Sequence, residues 1–392
     1  MFGLKGFDVV IGNPPYINIE KIQPSEREQY LRLYGENGKL GKRYDLYQLF
    51  IMKGIESLSI SGILSYILPN TFLVGSSYAI LRRRLCAETS ISHLVDLPQG
   101  VFESATVDNV LLFTEKPKRK SNSMRVSKLN SDSELIRIST SSWDDEFQLN
   151  QDELIEDEAF KINVHINPRL KVLFKKMESI SVPLGEITES SQGIILYKTA
   201  SEAKASQYTS DHQHPGWKKL LRGKNIGYYC IKWGGEYVDY GDWLWCQRDE
   251  KFFNQPKILL HAMRNKALKR RLVATYDEDE HYNAHNLANI IAKPNSGYDL
   301  RYVLALFNSS LINFWYRNHF PNVNINPGDF RQIPICSAAE EDQAPLIRLV
   351  DQITAIKKED PSADTSVLEA QLDRKVCELY TITEEDIVLV EE

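Results

Sequence analysis

Phe7-Asp8-Val9-Val10-Ile11-Gly12-Asn13-Pro14-Pro15-Tyr16 is the stretch on which the reading of this chain turns. Residues 7–11 read as a short buried strand that stops at Gly12. The two prolines behind it cannot continue a sheet ladder, because proline has no N–H to give. One reading of Asn13 to Tyr16 is a plain turn. The place of these residues directly behind an apolar strand supports a second one. The Asn13 side-chain oxygen and the Pro14 carbonyl can act together as acceptors, and the fixed φ of proline holds the neighbouring carbonyls in a set direction. Such a pair suits an amino group whose lone pair is delocalised into an aromatic ring. Accepting both of its hydrogens pulls the nitrogen toward tetrahedral geometry and turns the lone pair toward an electrophile. Positioning carries that chemistry, and no strongly basic side chain is required. Tyr16 adds a flat face on which a ring can stack.

Working outward, residues 45–59 carry helical apolar spacing through Leu46, Leu49, Phe50, Met52, Ile55 and Leu58, and Ser61-Gly62 stops the helix. Residues 63–68 read as a strand closed by Pro69-Asn70, 76–87 as a helix, and 91–96 and 107–114 as strands. Strands alternating with helices predict parallel βαβ units and an α/β layered sheet. The polar, Lys- and Ser-rich stretch 116–135 marks a boundary or surface excursion. From about residue 180 aromatics become dense and strands look short. The spacing predicts helices over 299–317, 342–358 and 365–380.

The chain has 392 residues, with 42% hydrophobic and 26% charged content, which is ordinary for a soluble globular protein of two domains. No apolar run is long enough to span a membrane, and the first residues do not form a signal peptide. The five cysteines, Cys86, Cys230, Cys246, Cys336 and Cys377, form no CxxC pair, which suits a reducing cytoplasm and argues against a disulfide framework or a zinc site. The net charge of −6 is unevenly spread. Residues 1–180 balance at 23 basic and 23 acidic, residues 181–336 carry 19 basic and 15 acidic, and residues 337–392 carry 5 basic and 15 acidic. The mildly basic middle permits a nucleic-acid-facing surface without demonstrating one.

The opening stretch resembles motif IV of the gamma-class, TaqI-type adenine-N6 DNA methyltransferases. Other blocks agree in order: Asp45-Leu46-Tyr47-Gln48-Leu49-Phe50 resembles motif V, Gly62 to Leu73 motif VI, and Val101-Phe102 with Asn109 to Phe113 motif VIII. In the second half, Ser191-Gln192-Gly193-Ile194, Leu221 to Ile226, Gln255 to Leu259, Leu306 to Ser309 and Gln332 to Ile335 are similar to TaqI-type target recognition domains. Cys377 to Ile387 is similar to the tail helix of the same proteins. The resemblance implies a partial Rossmann-like methyltransferase sheet over 1–165. It implies an α+β target recognition domain over 166–392, with a helical tail at 340–392. It further implies methyl transfer from S-adenosylmethionine to N6 of an adenine flipped out of double-stranded DNA, within a restriction-modification system. Asn13, Pro14, Pro15, Tyr16 and Phe102 are then the catalytic candidates. Phe102 stacks the base opposite Tyr16 or, alternatively, packs in the core. Pro15 lies near the donor's adenine ring.

The family's Gly-rich strand–turn–helix for the donor precedes motif IV and is not visible in this sequence. The expectation is therefore an incomplete enzyme, completed by an N-terminal methyltransferase half from the same gene or a separate chain. Its first strand would have an unpaired edge. A non-catalytic DNA-binding specificity fragment and a protein-glutamine methyltransferase are the rival readings. No PD-(D/E)xK nuclease cluster is visible. His261, Arg264, Lys266, Lys269, Arg270 and Arg271 form the densest basic cluster, read either as phosphate contacts or as a solvated helix face. Arg222 and Lys224 invite the same two readings. Asn322, Asn324 and Asn326 either cap a loop or reach base edges. His281 and His285 have the i, i+4 spacing of a helical metal pair without an obvious third ligand, so no metal is assigned.

Overall fold

The computed structural model describes residues 5–30, 32–33, 44–98, 101, 108–156, 160–197, 207–265, 268–321 and 323–391. They form two compact units, Met1–Arg169 and Leu170–Glu392. No helix among the described residues is long and apolar enough to cross a membrane.

The first unit is built on β1 (Phe7–Gly12), α1 (Pro24–Tyr30), α2 (Leu46–Ser57), β2 (Leu58–Pro69), α3 (Thr71–Val74), α4 (Ala79–Glu88), β3 (Ser90–Asp96), β4 (Asn109–Glu115), β5 (Ser123–Lys128) and β6 (Asp145–Asn150). The strands make one sheet in the order β1-β2-β4-β3-β5-β6. β1 runs parallel to β2, and β4 runs antiparallel to both β2 and β3. This is half of a Rossmann-like sheet, as expected. Helix α2 lies against β2 so closely that a Cβ on Gly54 would stand 2.5 Å from Leu64 Cδ1. Its Leu49, Ile51, Met52 and Ile55 share one core with Leu64 and Leu68 of β2, Leu81 and Leu85 of α4, and Val110 and Leu112 of β4.

Two local expectations need correction. β2 does not begin after Ser61-Gly62 but runs through them from Leu58, with Ser61 at a positive φ of 72°. The Ser61 N–H is satisfied by Lys116 O at 2.7 Å, and a Cβ on Gly62 would meet Phe7 O at 2.6 Å, so glycine is what lets β1 approach there. The stretch 116–135 is more than a surface excursion. Its centre is β5, which pairs in parallel with β3 and buries Met124 and Val126, an alternation hidden among lysines and serines.

The second unit contains an antiparallel four-stranded sheet in the order Ala274–Asp277, Lys257–His261, Leu287–Ala292, Thr188–Gln192. A smaller sheet includes Lys218–Leu221 and Tyr237–Val238. The expected helix 299–317 is two helices, Leu300–Asn308 and Ser310–His319, broken at Ser309. The Ser309 hydroxyl oxygen caps the second by accepting from the Ile312 N–H at 3.3 Å. The tail forms the helices Glu340–Glu359, Ser366–Leu379 and Glu384–Glu391. Buried Tyr380 secures it, donating to Pro334 O at 2.6 Å and accepting from the Cys336 N–H at 3.1 Å.

Candidate functional site

β1 and β2 are parallel, so their carboxyl ends share one rim of the sheet, the position where open α/β sheets bind ligands. Asn13, Pro14, Pro15 and Tyr16 leave β1 at that rim. Asn13 is exposed, Pro14 is buried, and Pro15 and Tyr16 are half-buried. The Tyr16 hydroxyl donates to Ile67 O of β2 at 3.0 Å, and burial pushes its phenol up to about 12, so it stays protonated and donating. Its ring meets Tyr47 edge-on at 6.1 Å, and Tyr47 stacks on Tyr78 at 5.9 Å.

The chain beyond Tyr16 is fastened to the start of α2. The Leu46 N–H donates to Ile17 O at 2.8 Å and the Ile19 N–H to Tyr44 O at 3.1 Å. Asp45 accepts from Asn18 Nδ2 at 3.2 Å and from the Tyr78 hydroxyl. The three tyrosines and Asp45 therefore brace the segment that carries Asn13. Sequence reasoning did not find this brace, although Asp45 and Tyr47 lie in a block it singled out. Phe102 lies outside the described residues. Asp108 O, near the start of β4, accepts from the Asn70 N–H at 2.8 Å at the same rim.

Beyond the rim, β1 has no neighbour on its outer edge among the described residues. Phe7, Val9 and Ile11 share one face and are 56%, 61% and 79% exposed, and Ile63 of β2, paired to Val9, is exposed beside them. The described residues contain no Gly-rich turn between a buried strand and a helix.

In the second unit the basic cluster divides. Arg271 is fully buried and donates to Phe320 O at 3.1 Å and Val323 O at 3.4 Å. Arg270 is engaged by Glu369 at 2.9 Å and Asp373 at 3.3 Å and lies over the Tyr228 ring. Arg222 is held bidentately by Glu236 at 2.7 and 2.6 Å. Lys224 and Lys269 are exposed and Arg264 is half-buried, while Lys266 and Asn322 lie outside the described residues. Among the described residues of this stretch there is no helix: Lys257–His261 is a strand, and residues 262–265 and 268–273 are irregular. Asn324 is exposed, and Asn326 donates to Asp329 at 3.1 Å.

His281 and His285 are not on a helix, since Tyr282–Asn283 between them is a strand. His281 instead joins Asp277 and Asp279, with ligand atoms within 4.8 Å of one another. Asp277 is already committed. It accepts from His281 Nδ1 at 2.8 Å and faces Lys257 Nζ at 2.7 Å, with both Lys257 and Asp277 side chains fully buried. Burial alone would raise the Asp277 carboxyl, but the His281 hydrogen bond and the Lys257 charge outweigh it and hold it below the usual carboxylate range.

A Rossmann-like half-sheet thus carries Asn-Pro-Pro-Tyr at its rim, and a mixed unit follows it in the chain. Residues 1–102 match the family described as Eco57I restriction-modification methylase, and residues 218–335 match the TaqI-like C-terminal specificity domain. The chain thus carries an Eco57I-type methylase segment and a TaqI-like specificity domain. It is 27% identical over 322 residues to RM.MjaORFECS2P of Methanocaldococcus jannaschii, covering 80% of this chain and 25% of that protein. It is 30% identical over 189 residues to the type II restriction enzyme and methyltransferase RM.Eco57I of Escherichia coli, covering 46% and 18%. The chain therefore spans about a quarter or less of the length of these two relatives. Among solved structures, the type IIL restriction-modification enzyme MmeI in complex with DNA superposes with a TM-score of 0.58 at 10% identity, covering 97% of this chain and 55% of that one. A nuclease-deletion mutant of the type ISP enzyme LlaGI with a DNA substrate mimic gives 0.53 at 12%, covering 89% and 35%. At those identities the likeness is one of fold.

Proposed function

We propose that this chain supplies the base-gripping rim and the recognition domain of a DNA methyltransferase that methylates N6 of adenine in duplex DNA. The carrying observation is the geometry of Asn13 to Tyr16, an exposed amide beside a buried proline at the carboxyl end of a strand, braced by the Tyr16–Ile67 hydrogen bond. In this reading the base leaves the stack. Asn13 Oδ1 and the Pro14 carbonyl accept the two N–H groups of its amino nitrogen, and Tyr16 supports its ring. Phe102 would close the other face. S-adenosylmethionine supplies an electrophilic methyl group when bound, and its pocket comes from elements other than the described residues, with Pro15 as one wall.

The same reading assigns a partner to the open edge of β1. A donor-binding methyltransferase half, on the same or another chain, adds its strand there and covers Phe7, Val9, Ile11 and Ile63. The exposure of these side chains supports this, since a bare apolar edge strand is a liability in isolation. Duplex DNA lies against the second unit, with Lys224, Arg264, Lys266 and Lys269 facing phosphates. Arg222 and Arg270, held by carboxylates, position the surface instead.

The test is complementation. The chain is mixed with a separately produced donor-binding half from a relative, and transfer of labelled methyl from S-adenosylmethionine into DNA is followed. Recovery of activity that Asn13→Ala abolishes supports the proposal. A lack of transfer alongside retained DNA binding favours a purely recognitive role.

A further inference from the structure

Just past the strand Lys257–His261, the chain pairs with residues 323–325 to make a narrow two-stranded ribbon. The Ile325 N–H donates to Ala262 O at 2.9 Å, and the Arg264 N–H donates to Val323 O at 3.1 Å. Met263 and Asn324 are the antiparallel pair between those two bonds. Their own backbones exchange no hydrogen bond, so this is the closer kind of pair, with both side chains rising from one face. Directly opposed Cβ atoms stand about 4.5–5.5 Å apart. Alternation turns Ala262, Arg264, Val323 and Ile325 to the other face.

The ribbon is anchored from that other face and from its ends. Ile325 is buried, and the Ala262 N–H donates to Asn286 O at 3.0 Å. Buried Arg271 donates to Phe320 O at 3.1 Å and Val323 O at 3.4 Å. The face that carries Met263 and Asn324 is left to solvent. Met263 is 62% exposed, and Asn324 is exposed beside it with no hydrogen bond to its amide among the described residues. A fixed backbone thus presents an unused amide and an apolar thioether side by side.

That pairing of groups has a counterpart in a duplex. A carboxamide gives and accepts a hydrogen bond at once. In the major groove adenine offers an N6 donor site and an N7 acceptor, and its thymine partner adds a methyl group on the same base pair. No G·C pair carries either combination, and the major groove admits a two-stranded ribbon. The long, unbranched methionine can reach the methyl while the shorter asparagine meets the adenine edge.

We infer that Met263 and Asn324 together read one A·T pair in the major groove, Asn324 on adenine N6 and N7 and Met263 on the thymine methyl. The inference rests on the DNA-binding reading above and adds to it a base pair and the two side chains that select it.

The experiment uses the full chain. A preferred duplex is selected from a random pool. Each thymine is then replaced singly by deoxyuridine, which removes only the methyl, and each adenine by 7-deazaadenine, which removes the N7 acceptor. Both replacements should weaken binding at one and the same base pair. The first should cost about fourfold, the worth of one methyl-sized group, and the second about fivefold, the worth of one hydrogen bond. Met263→Ala should lose the response to deoxyuridine there and keep the response to 7-deazaadenine, and Asn324→Ala should do the reverse. Near-ultraviolet circular dichroism checks that both variants remain folded. Selective binding in which no base pair responds to both replacements overturns the inference, as do responses that survive in the two variants. Failure of the wild-type chain to bind any duplex overturns the DNA-binding reading itself, which is a distinguishable result.

Discussion

Asp277→Asn removes one charge from a pair that has no access to water. Lys257 Nζ lies 2.7 Å from Asp277 Oδ2, its other hydrogen bond goes to Phe253 O at 2.9 Å, and neither charged side chain has any exposed surface. Removing the carboxylate leaves an ammonium buried against a neutral amide and a carbonyl, a class of change that costs about 3–5 kcal/mol. A separate bound agrees. The lysine can escape by losing its proton, and at pH 7 that costs about 4.6 kcal/mol for a group with an ordinary pKa near 10.4. Spread over a unit of this size, the loss should lower the melting temperature by roughly 6–20 °C. The deprotonation route also sets a pH signature. The folded variant favours the neutral amine, so its disadvantage should shrink by up to about 1.4 kcal/mol per pH unit as pH rises, until the wild-type lysine, itself lowered by burial against the pull of Asp277, loses its proton too. Urea titrations of wild type and variant at several pH values measure both quantities. Adding Lys257→Met to Asp277→Asn should recover most of the loss, because it removes the unpaired ammonium while the Asn oxygen can still accept from His281. A cost below about 1 kcal/mol at pH 7, or one that stays constant up to pH 10, would refute the argument that this network is a closed, dry ion pair.

Four further outcomes are expected. Tyr16→Phe breaks the bond to Ile67 O, should cost about 1 kcal/mol of stability, and should lower kcat for methyl transfer more than it raises KM, as read from steady-state kinetics of the complemented enzyme. Val9→Lys with Ile11→Lys should leave the first unit folded by circular dichroism yet abolish rescue by a donor-binding half, because β1 would present two charges to the incoming strand. Lys224→Gln should reduce the salt dependence of DNA binding by about one phosphate's worth, while Arg270→Ala, whose guanidinium serves Glu369 and Asp373, should lower thermal stability and leave the salt slope unchanged. His93, pressed down to about 4 by burial and by Arg125, favours its neutral form in the folded state. Its contribution is therefore complete above the ordinary histidine range near pH 6.5 and fades as pH falls toward 4, so acid titration of His93→Asn against wild type should show a shallower decline through that window.

How much the sequence disclosed depended on whether the deciding interactions were local. The strand before Asn13, helix α2 and the two long tail helices announce themselves through period-two or period-3.6 patterns of nearby residues. β5 escaped notice because its apolar buried positions are just Met124 and Val126, set between exposed Ser123 and Arg125 and a buried but polar Ser127. The break at Ser309 was hidden because apolar residues continue in helical spacing on both sides, and only the cap reveals it. The basic run 261–271 shows the same limit for function. Sequence reveals the charge of Arg270 and Arg271, but the carboxylates and carbonyls that absorb it arrive from residues about 50 and 100 positions away. The brace behind Asn13 is also non-local, joining Tyr16 to Ile67 and Tyr78 to Asp45.

The identity of the methylated product bears most directly on the role given to Asn13 and Pro14. Bacterial DNA treated with the complemented enzyme can be digested to nucleosides and weighed by mass spectrometry. The account predicts N6-methyladenine that disappears with Asn13→Ala. Methyl found on the cytosine amino group, or on a protein glutamine with none in the DNA, contradicts it.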